Sequence, residues 1–180
     1  MGSGPPRSEQ SGPVKKPLED LFRRELVGRI RTRAPVTAFP QSTLAEAVRL
    51  LQTSTGCVVA VEKWEGRLRP VGIFTERDYL MKVATQTGAD ASTSDFGRLP
   101  LERFMTRSPR TLSLEDDLDT AICLMTEGGY RHLPLVDRDG GLAGVLSVRD
   151  LIVHLAEMFP VECINRSLEK EEAGLAREGG

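Results

Sequence analysis

The sequence predicts an α+β fold in which two β-α-β-β-α repeats pack sheet to sheet as a pseudo-two-fold pair. The first observation is a duplication: residues 27–37 align with residues 101–111 at a constant offset of 74, with identical pairs such as Pro35/Pro109. Similarity at a fixed spacing indicates repeated structural units. The second observation is that apolar residues follow the same periodicities in the same order in both copies. The third is that one copy of about 55 residues is too small to cover its own sheet, so two copies should share a core.

Each copy is predicted to begin with a short extended segment and an amphipathic helix. The extended segments are residues 36–39 and 110–114. Both helices repeat apolar residues at i, i+3, i+4 and i+7, which places them on one face. These residues are Leu44, Ala47, Val48 and Leu51 in the first copy and Leu118, Ala121, Ile122 and Met125 in the second. We expect Ser42 to cap the first helix and Asp116 or Asp117 to cap the second, because short polar side chains accept hydrogen bonds from the free N–H groups at a helix start.

Two more strands and a closing helix complete each copy. The predicted strands are residues 57–61 and 71–74 in the first copy, and residues 133–136 and 143–146 in the second. The closing helices are residues 76–84 and 148–159. The Asp-Gly dipeptide within Asp137–Gly141 supplies the positive φ that a tight hairpin requires.

The flanking segments set the domain boundaries. Residues 1–16 are predicted to be disordered, and residues 17–26 to form a short amphipathic helix. The first domain covers residues 27–90 with a connector at about residues 85–97, and the second covers residues 98–160. Residues 161–180 form a charged tail.

Charge and apolar content exclude several classes of partner. The 24 basic and 26 acidic residues nearly cancel, so no global field favours nucleic acid or an acidic membrane surface. The longest apolar run, residues 57–61, is far shorter than the roughly 20 residues that span a bilayer. Of the three separated cysteines, we expect Cys57 and Cys123 to be buried thiols. We therefore expect a cytoplasmic protein that binds neither nucleic acid nor membrane.

A seven-residue motif recurs at the end of the third strand in each copy. It reads Gly72-Ile-Phe-Thr-Glu-Arg-Asp78 in the first and Gly144-Val-Leu-Ser-Val-Arg-Asp150 in the second. This motif, with a Leu-Pro-Leu-Val-Asp strand before it, resembles the CBS domain, and the two copies resemble a CBS pair, or Bateman module, over residues 27–159. The second copy is closer to the family pattern, and the first departs from it between residues 54 and 69.

The resemblance implies a regulatory module rather than an enzyme. It implies that AMP, ADP or ATP, in preference to S-adenosylmethionine or NAD, binds in a cleft between the copies. It also implies a homodimer formed through the CBS helices and an effector protein that receives the signal.

Several residues in each copy are candidates for contacts with such a ligand. The carboxylates of Asp150 and Asp78 accept hydrogen bonds only, which suits ribose hydroxyls. The helix starts carry free N–H groups and positive dipole that suit phosphate. The candidates for phosphate contact are Ser147, Thr75, Arg149, Arg77, Arg131 and His132. The candidates near the base or ribose are Thr111, Thr37, Gly144 and Gly72.

Each candidate also has an interpretation that needs no ligand. A Thr or Ser followed three residues later by Asp is a capping box. Arg131 and His132 align with Gly56 and Cys57 of the first copy, so charge favours the second copy, although an exposed Arg-His pair is also ordinary solvated surface. The threonines suit strands through their β-branched side chains.

The sequence contains no catalytic motif and no predicted metal site. Gly-x-Ser-x-Gly, the P-loop and His-Glu-x-x-His are all absent from it. The leading hypothesis is a sensor of adenosine nucleotides that signals by conformational change. The alternative is a ligand-free interaction or scaffold module that uses the pair for dimerisation.

Overall fold

The structure is a computed structural model, and it describes residues 15–54, 56–85 and 93–159. The first copy contains β1 (Thr37–Ala38), α2 (Leu44–Thr53), β2 (Cys57–Trp64), β3 (Arg67–Thr75) and α3, which starts as one α-turn (Glu76–Asp78) and continues in π-helical form (Tyr79–Ala84). The second contains β5 (Leu112–Ser113), α5 (Leu118–Gly128), β6 (His132–Val136), β7 (Leu142–Ser147) and α6 (Val148–Met158). Helix α1 (Lys15–Arg24) precedes the first copy. This helix begins two residues before its predicted start, so residues 15 and 16 are helical and not disordered as predicted. The disorder predicted for residues 1–14 and the predicted tail at residues 161–180 lie outside the described residues.

The α+β prediction is confirmed, and each copy has the order β-α-β-β-α. In both sheets a short parallel strand is followed by an antiparallel hairpin, giving the orders β1-β2-β3-β4 and β5-β6-β7. The predicted turn between β6 and β7 is present, with Gly140 at φ +79°. Three elements fall between the predicted connector and β5: helix α4 (Thr93–Gly97), a 3-10 helix (Leu101–Arg103) and strand β4 (Thr106–Arg107), which pairs with β3.

One of the predicted helix caps, that of α2, is wrong. Thr43, not Ser42, caps α2, because Thr43 has Glu46 three residues later and the two exchange a complete capping box. The Ser42 hydroxyl instead accepts a hydrogen bond from the N–H of Phe39. Asp117 caps α5 as predicted, since its carboxylate accepts from the N–H of Thr120 at 2.8 Å.

Alternation along the strands separates three apolar clusters. Val58, Ala60 and Phe74 face the helices of the first copy, in a first core. Their neighbours in sequence point the other way, as side chains in a strand must. Four of these outward-facing residues form a cluster between the two sheets together with Val145 of the second copy; they are Cys57, Val59, Val61 and Ile73. The copies therefore pack sheet to sheet, as predicted.

The two cysteines behave differently. Burial in the cluster between the sheets raises the pKa of the Cys57 thiol to about 12, so this side chain is neutral at physiological pH. Cys123 is exposed on α5, contrary to the prediction that it is buried. It lies between the half-buried Ile122 and Leu124, at a position that faces away from the second core.

The segments that precede each copy cross to the other copy. We call residues 27–33 and 101–107 the first and second lead-in segments. Val27 and Ile30 are buried in the core of the second copy. Their counterparts Leu101 and Phe104 are buried in the core of the first. Burial of apolar surface at about 25 cal/mol per Å² makes these exchanged residues a sizeable part of each core.

Matching hydrogen bonds show that this exchange is reciprocal. The N–H of Val27 donates to the carbonyl of Asp116, and the N–H of Leu101 donates to that of Ser42, both at 2.8 Å. Each donor and acceptor of the first bond lies 74 residues from its counterpart in the second. The pseudo-two-fold relation therefore extends to the exchanged segments.

Hairpin turns add a second connection between the copies. The guanidinium of Arg67, beside the β2–β3 turn, contacts the carboxylates of Asp137 at 2.9 Å and Asp139 at 2.8 Å in the β6–β7 turn. Hydrogen bonds from the N–H groups of Gly141 and Asp139, together with the charge of Arg67, lower the pKa of Asp137. These contacts connect the β6–β7 turn to the first copy.

Candidate functional site

The two repeated motifs place their acidic residues at equivalent helix starts. In the first copy, the N–H and hydroxyl of Thr75 donate to Asp78 Oδ2 at 3.0 and 2.7 Å. In the second, the N–H and hydroxyl of Ser147 donate to Asp150 Oδ2 at 3.0 and 2.6 Å. Both pairs are complete capping boxes, so the interpretation that needs no ligand is confirmed. Each box uses one carboxylate oxygen and leaves Oδ1 for another contact.

In the first copy that second oxygen is engaged within the chain. The Thr106 hydroxyl donates to Asp78 Oδ1 at 3.1 Å. The ammonium of Lys82 lies 2.6 Å from the same atom, one helical turn later. With 12% of its side chain exposed, Asp78 is enclosed by these two groups and by its own cap.

In the second copy the equivalent carboxylate lines a cavity. No hydrogen-bond donor to Asp150 Oδ1 is present among residues 15–54, 56–85 and 93–159. Asp150 lines a cavity of about 280 Å³ with Arg149 from its own helix and with Arg31, Thr32 and Arg33 from the first lead-in segment. The site is thus built by both copies, because the lead-in exchange brings residues 31–33 across to the start of α6.

The far wall of this cavity comes from the same helix. Val153, His154 and Glu157 of α6 complete its lining. His154 Nε2 lies 3.3 Å from Glu25 Oε1, at ion-pair distance but without the alignment of a hydrogen bond. Both side chains are more than four-fifths buried. With three arginines against two carboxylates, the cavity suits an anion that carries hydroxyl groups.

Arg131 and His132 lie elsewhere than this cavity, which neither of them lines. The carbonyl of Arg131 accepts a hydrogen bond from the N–H of Val148 at 3.0 Å, while its side chain is exposed. His132 pairs with Ser147 across the sheet. Its ring lies against Gly56 of the first copy, where an added Cβ would come within 3.2 Å of it. His132 therefore packs at the junction of the two copies.

The remaining candidates are dispersed. Thr37 lines a groove of about 440 Å³ at the outer edge of the first sheet, which contains no other candidate. Thr111 is exposed just before β5, and Arg77 is exposed in the first turn of α3. The groove is larger than the cavity at Asp150, but the smaller cavity combines a carboxylate and three arginines and is the better candidate site.

Sequence reasoning missed Arg31, Thr32, Arg33 and Lys82. The signal for Thr32 was the identical pair Thr32/Thr106 in the repeat, and the signal for Lys82 was its spacing of four residues from Asp78 on one helix. The arginines of the lead-in segment had no such signal, because their place depends on a contact with the other copy.

The described residues offer neither a metal-binding cluster nor a membrane-spanning helix. Within the described ranges, no cluster of three or more His, Cys, Asp or Glu side chains could hold a metal ion. None of the helices described is both long and apolar enough to cross a bilayer.

The fold and the two equivalent helix starts define a class of protein, the paired-repeat module whose sheets pack face to face. A sequence profile of the CBS domain matches residues 27–85 and 101–157, which is more than half of the chain. The chain belongs to the CBS domain family.

Similar proteins come from archaea and plants. An uncharacterised protein of Methanopyrus kandleri is 31% identical over 150 residues, which are 80% of this chain and 68% of that protein. A mitochondrial CBS domain-containing protein of Arabidopsis thaliana is 29% identical over 151 residues, 82% of this chain and 68% of that protein. The solved structure of a Pyrobaculum aerophilum CBS domain protein complexed with AMP is 27% identical and covers 73% of this chain and 98% of its own, with a TM-score of 0.59.

Proposed function

We propose that this protein is a regulatory module that binds AMP, ADP or ATP in the cleft at Asp150 and signals to a partner protein by a conformational change. The observation that carries the proposal is the open Oδ1 atom of Asp150 in a cavity with three arginines. The Pyrobaculum aerophilum relative, which is complexed with AMP, supports the class of ligand.

The chemistry of the cavity matches the two ends of a nucleotide. A carboxylate accepts charge-assisted hydrogen bonds from the ribose hydroxyls. The guanidinium groups of Arg31, Arg33 and Arg149 pair with phosphate oxygens in a bidentate manner. S-adenosylmethionine carries a sulfonium cation in place of phosphates, so the arginines favour AMP, ADP or ATP over it.

The elements that form the walls of the cavity support signalling by a conformational change. Its walls come from the first lead-in segment and from α6, so a bound nucleotide would contact elements of both copies. A ligand that binds one relative arrangement of the copies more tightly shifts the population towards that arrangement. The partner that receives this signal would recognise the changed surface.

The oligomeric state and location complete the proposal. Leu80 of α3 and Ile152 of α6 occupy equivalent positions and are 60% and 59% exposed. Apolar side chains at this exposure on both closing helices support a homodimer formed through those helices. We place the module in the cytoplasm, where the free thiols of Cys57 and Cys123 would stay reduced.

Thermal unfolding with and without nucleotide tests the proposal. A ligand present at about 100 times its Kd adds roughly 2.7 kcal/mol to the free energy of unfolding. We expect AMP, ADP or ATP to raise the Tm of the full chain. If no adenosine compound raises it, S-adenosylmethionine and NAD included, the ligand-free scaffold is the better description.

A matched pair of variants locates the site. Asp150→Ala and Asp78→Ala remove equivalent capping contacts, and Asp78→Ala also removes the contacts with Lys82 and Thr106. Both should therefore lower the Tm without ligand, and Asp78→Ala should lower it more. We expect the nucleotide-induced rise in Tm to be lost in Asp150→Ala and retained in Asp78→Ala. Equal losses in both variants would contradict the assignment to the second cleft.

A further inference from the structure

Lys82 and His154 occupy equivalent positions in the two copies, four residues after Asp78 and Asp150. Their surroundings differ. The ammonium of Lys82 lies 2.6 Å from Asp78 Oδ1 and donates to the Thr106 hydroxyl at 3.3 Å. The imidazole of His154 lies beside Glu25 instead, 3.3 Å from its carboxylate.

The equivalent threonines of the two lead-in segments, Thr32 and Thr106, also differ in their contacts. Thr106 donates its hydroxyl to Asp78 Oδ1 at 3.1 Å. Its counterpart Thr32 lies over Gly144, where an added Cβ would come within 3.1 Å of the Thr32 hydroxyl. We call the surroundings of Asp78 the first cleft and the cavity at Asp150 the second. In the first, a cation and a hydroxyl contact the carboxylate oxygen whose equivalent stays open in the second.

A nucleotide could reach Asp78 only by displacing these groups. Its ribose hydroxyls would need the same Oδ1 atom, whose acceptor sites are occupied by the ammonium of Lys82 and by the hydroxyl of Thr106. A ribose hydroxyl would also make a charge-assisted hydrogen bond, but the ammonium of Lys82 adds the attraction between two opposite charges, which a neutral hydroxyl lacks.

We infer that Lys82 is an internal competitor that closes the first cleft to nucleotides, so that each chain binds one nucleotide, at Asp150. Lys82 is in this sense a specificity-determining residue for the module. The inference rests on the proposed function for the second cleft, but the test below separates the two.

Isothermal titration calorimetry with AMP, and separately with ATP, measures the number of sites per full-length chain. Lys82→Met replaces the lysine by an uncharged side chain of similar length and so removes the ammonium. Lys82→Gln is a second uncharged variant. We expect one site in the wild type and two in Lys82→Met. The double variant Lys82→Met/Asp78→Ala should return to one site, and Lys82→Arg, which keeps the cation, should remain at one.

The other outcomes are equally informative. Two sites in the wild type would overturn the inference and leave the proposed function intact. One site in both the wild type and the two neutral variants would also overturn it. If the wild type binds neither nucleotide, nor ADP in the same measurement, the proposed function is wrong. In that case a site that appears in Lys82→Met and disappears in Lys82→Met/Asp78→Ala would still support the role of Lys82. If no such site appears, the role of Lys82 is refuted.

Discussion

At the scale of the residue, Gly72 and Gly144 set how closely the lead-in segments approach the strands. An added Cβ at Gly72 would lie 2.3 Å from the Met105 sulfur, and one at Gly144 would lie 3.1 Å from the Thr32 hydroxyl. Real Cβ atoms do not approach other atoms as closely as 2.3 Å. The glycines thus accommodate the exchanged segments, a reason that holds with or without a ligand, and their place near a bound base or ribose remains a prediction.

Gly72→Ala should therefore destabilise the protein. We expect the free energy of unfolding to fall by about 1 kcal/mol, the low end of the usual cost of overpacking a core, because the buried Met105 must move but has a flexible side chain. Denaturant-induced unfolding measures this change.

A double-mutant cycle provides the control. In a Met105→Ala background the same substitution should cost less, since the clashing sulfur is gone. An equal cost in both backgrounds would contradict the packing explanation.

Single residues were predictable where their partners are local. The capping boxes at Thr75 and Ser147 follow from a spacing of three residues, which is visible in the sequence. The contacts of Asp78 Oδ1 were not predictable, because they depend on Thr106, which is 28 residues away, as well as on nearby Lys82.

At the scale of the element, the helices of the two copies start with chemically different caps. Thr43 caps α2 through a hydroxyl, and Asp117 caps α5 through a carboxylate. Hydrogen bonds from the side chain and N–H of Thr120 lower the pKa of Asp117 below its ordinary value of 3.8. A lowered folded-state pKa contributes stability that is present above the unfolded pKa and is lost as the pH falls through the folded one.

The two caps should consequently differ in their response to pH. We expect Asp117→Ala and Thr43→Ala each to lower the free energy of unfolding by about 1 kcal/mol at neutral pH. As the pH falls below 3.8, the cost of Asp117→Ala should shrink because the wild-type carboxyl becomes protonated. The cost of Thr43→Ala should persist, since a hydroxyl does not titrate. Denaturation at a series of pH values checks both, and parallel curves for the two variants would contradict the explanation.

The order of elements was predictable from apolar periodicity, but the lengths of some were not. Strand β2 runs to Trp64 and β3 starts at Arg67, several residues beyond the predicted ends. The added residues are exposed and polar for the most part, so they lack the apolar signal. They are held in the hairpin by cross-strand pairing around Gly66, which has φ +79°.

At the scale of the whole molecule, the closing helices present matched apolar surfaces. Leu80 and Met81 on α3 are the counterparts of Ile152 and Val153 on α6, and all four are substantially exposed. Light scattering after size-exclusion chromatography should give the mass of a dimer for the wild type. Leu80→Glu and Ile152→Glu should give monomers of unchanged fold, because these side chains contribute little to the monomer core.

A substitution of another exposed apolar residue is the matched control. Trp64→Glu, on the β2–β3 hairpin, should leave the dimer intact, since Trp64 is 54% exposed but lies on neither closing helix. A monomeric wild type, or dimers in both helix variants, would show that the closing helices are not the interface.

The sheet-to-sheet pairing was predictable because one copy cannot cover its own sheet. The exchange of lead-in segments was not, because Val27 and Ile30 have the same apolar character whichever core receives them. The cavity at Asp150 depends on that exchange, and so the sequence indicated its carboxylate but not its arginines Arg31 and Arg33.

The exchange also bears on how such a chain arose and how it unfolds. A protein with a single copy would have no second core in which to bury its lead-in segment. Two such proteins would bury each other's lead-in segments and form a symmetric, domain-swapped dimer. The present chain has the geometry of that dimer fused into one polypeptide. Each core contains apolar residues from the lead-in segment of the opposite half. Neither half can therefore unfold while the other stays folded. The two repeats should therefore unfold in one cooperative transition rather than as independent domains.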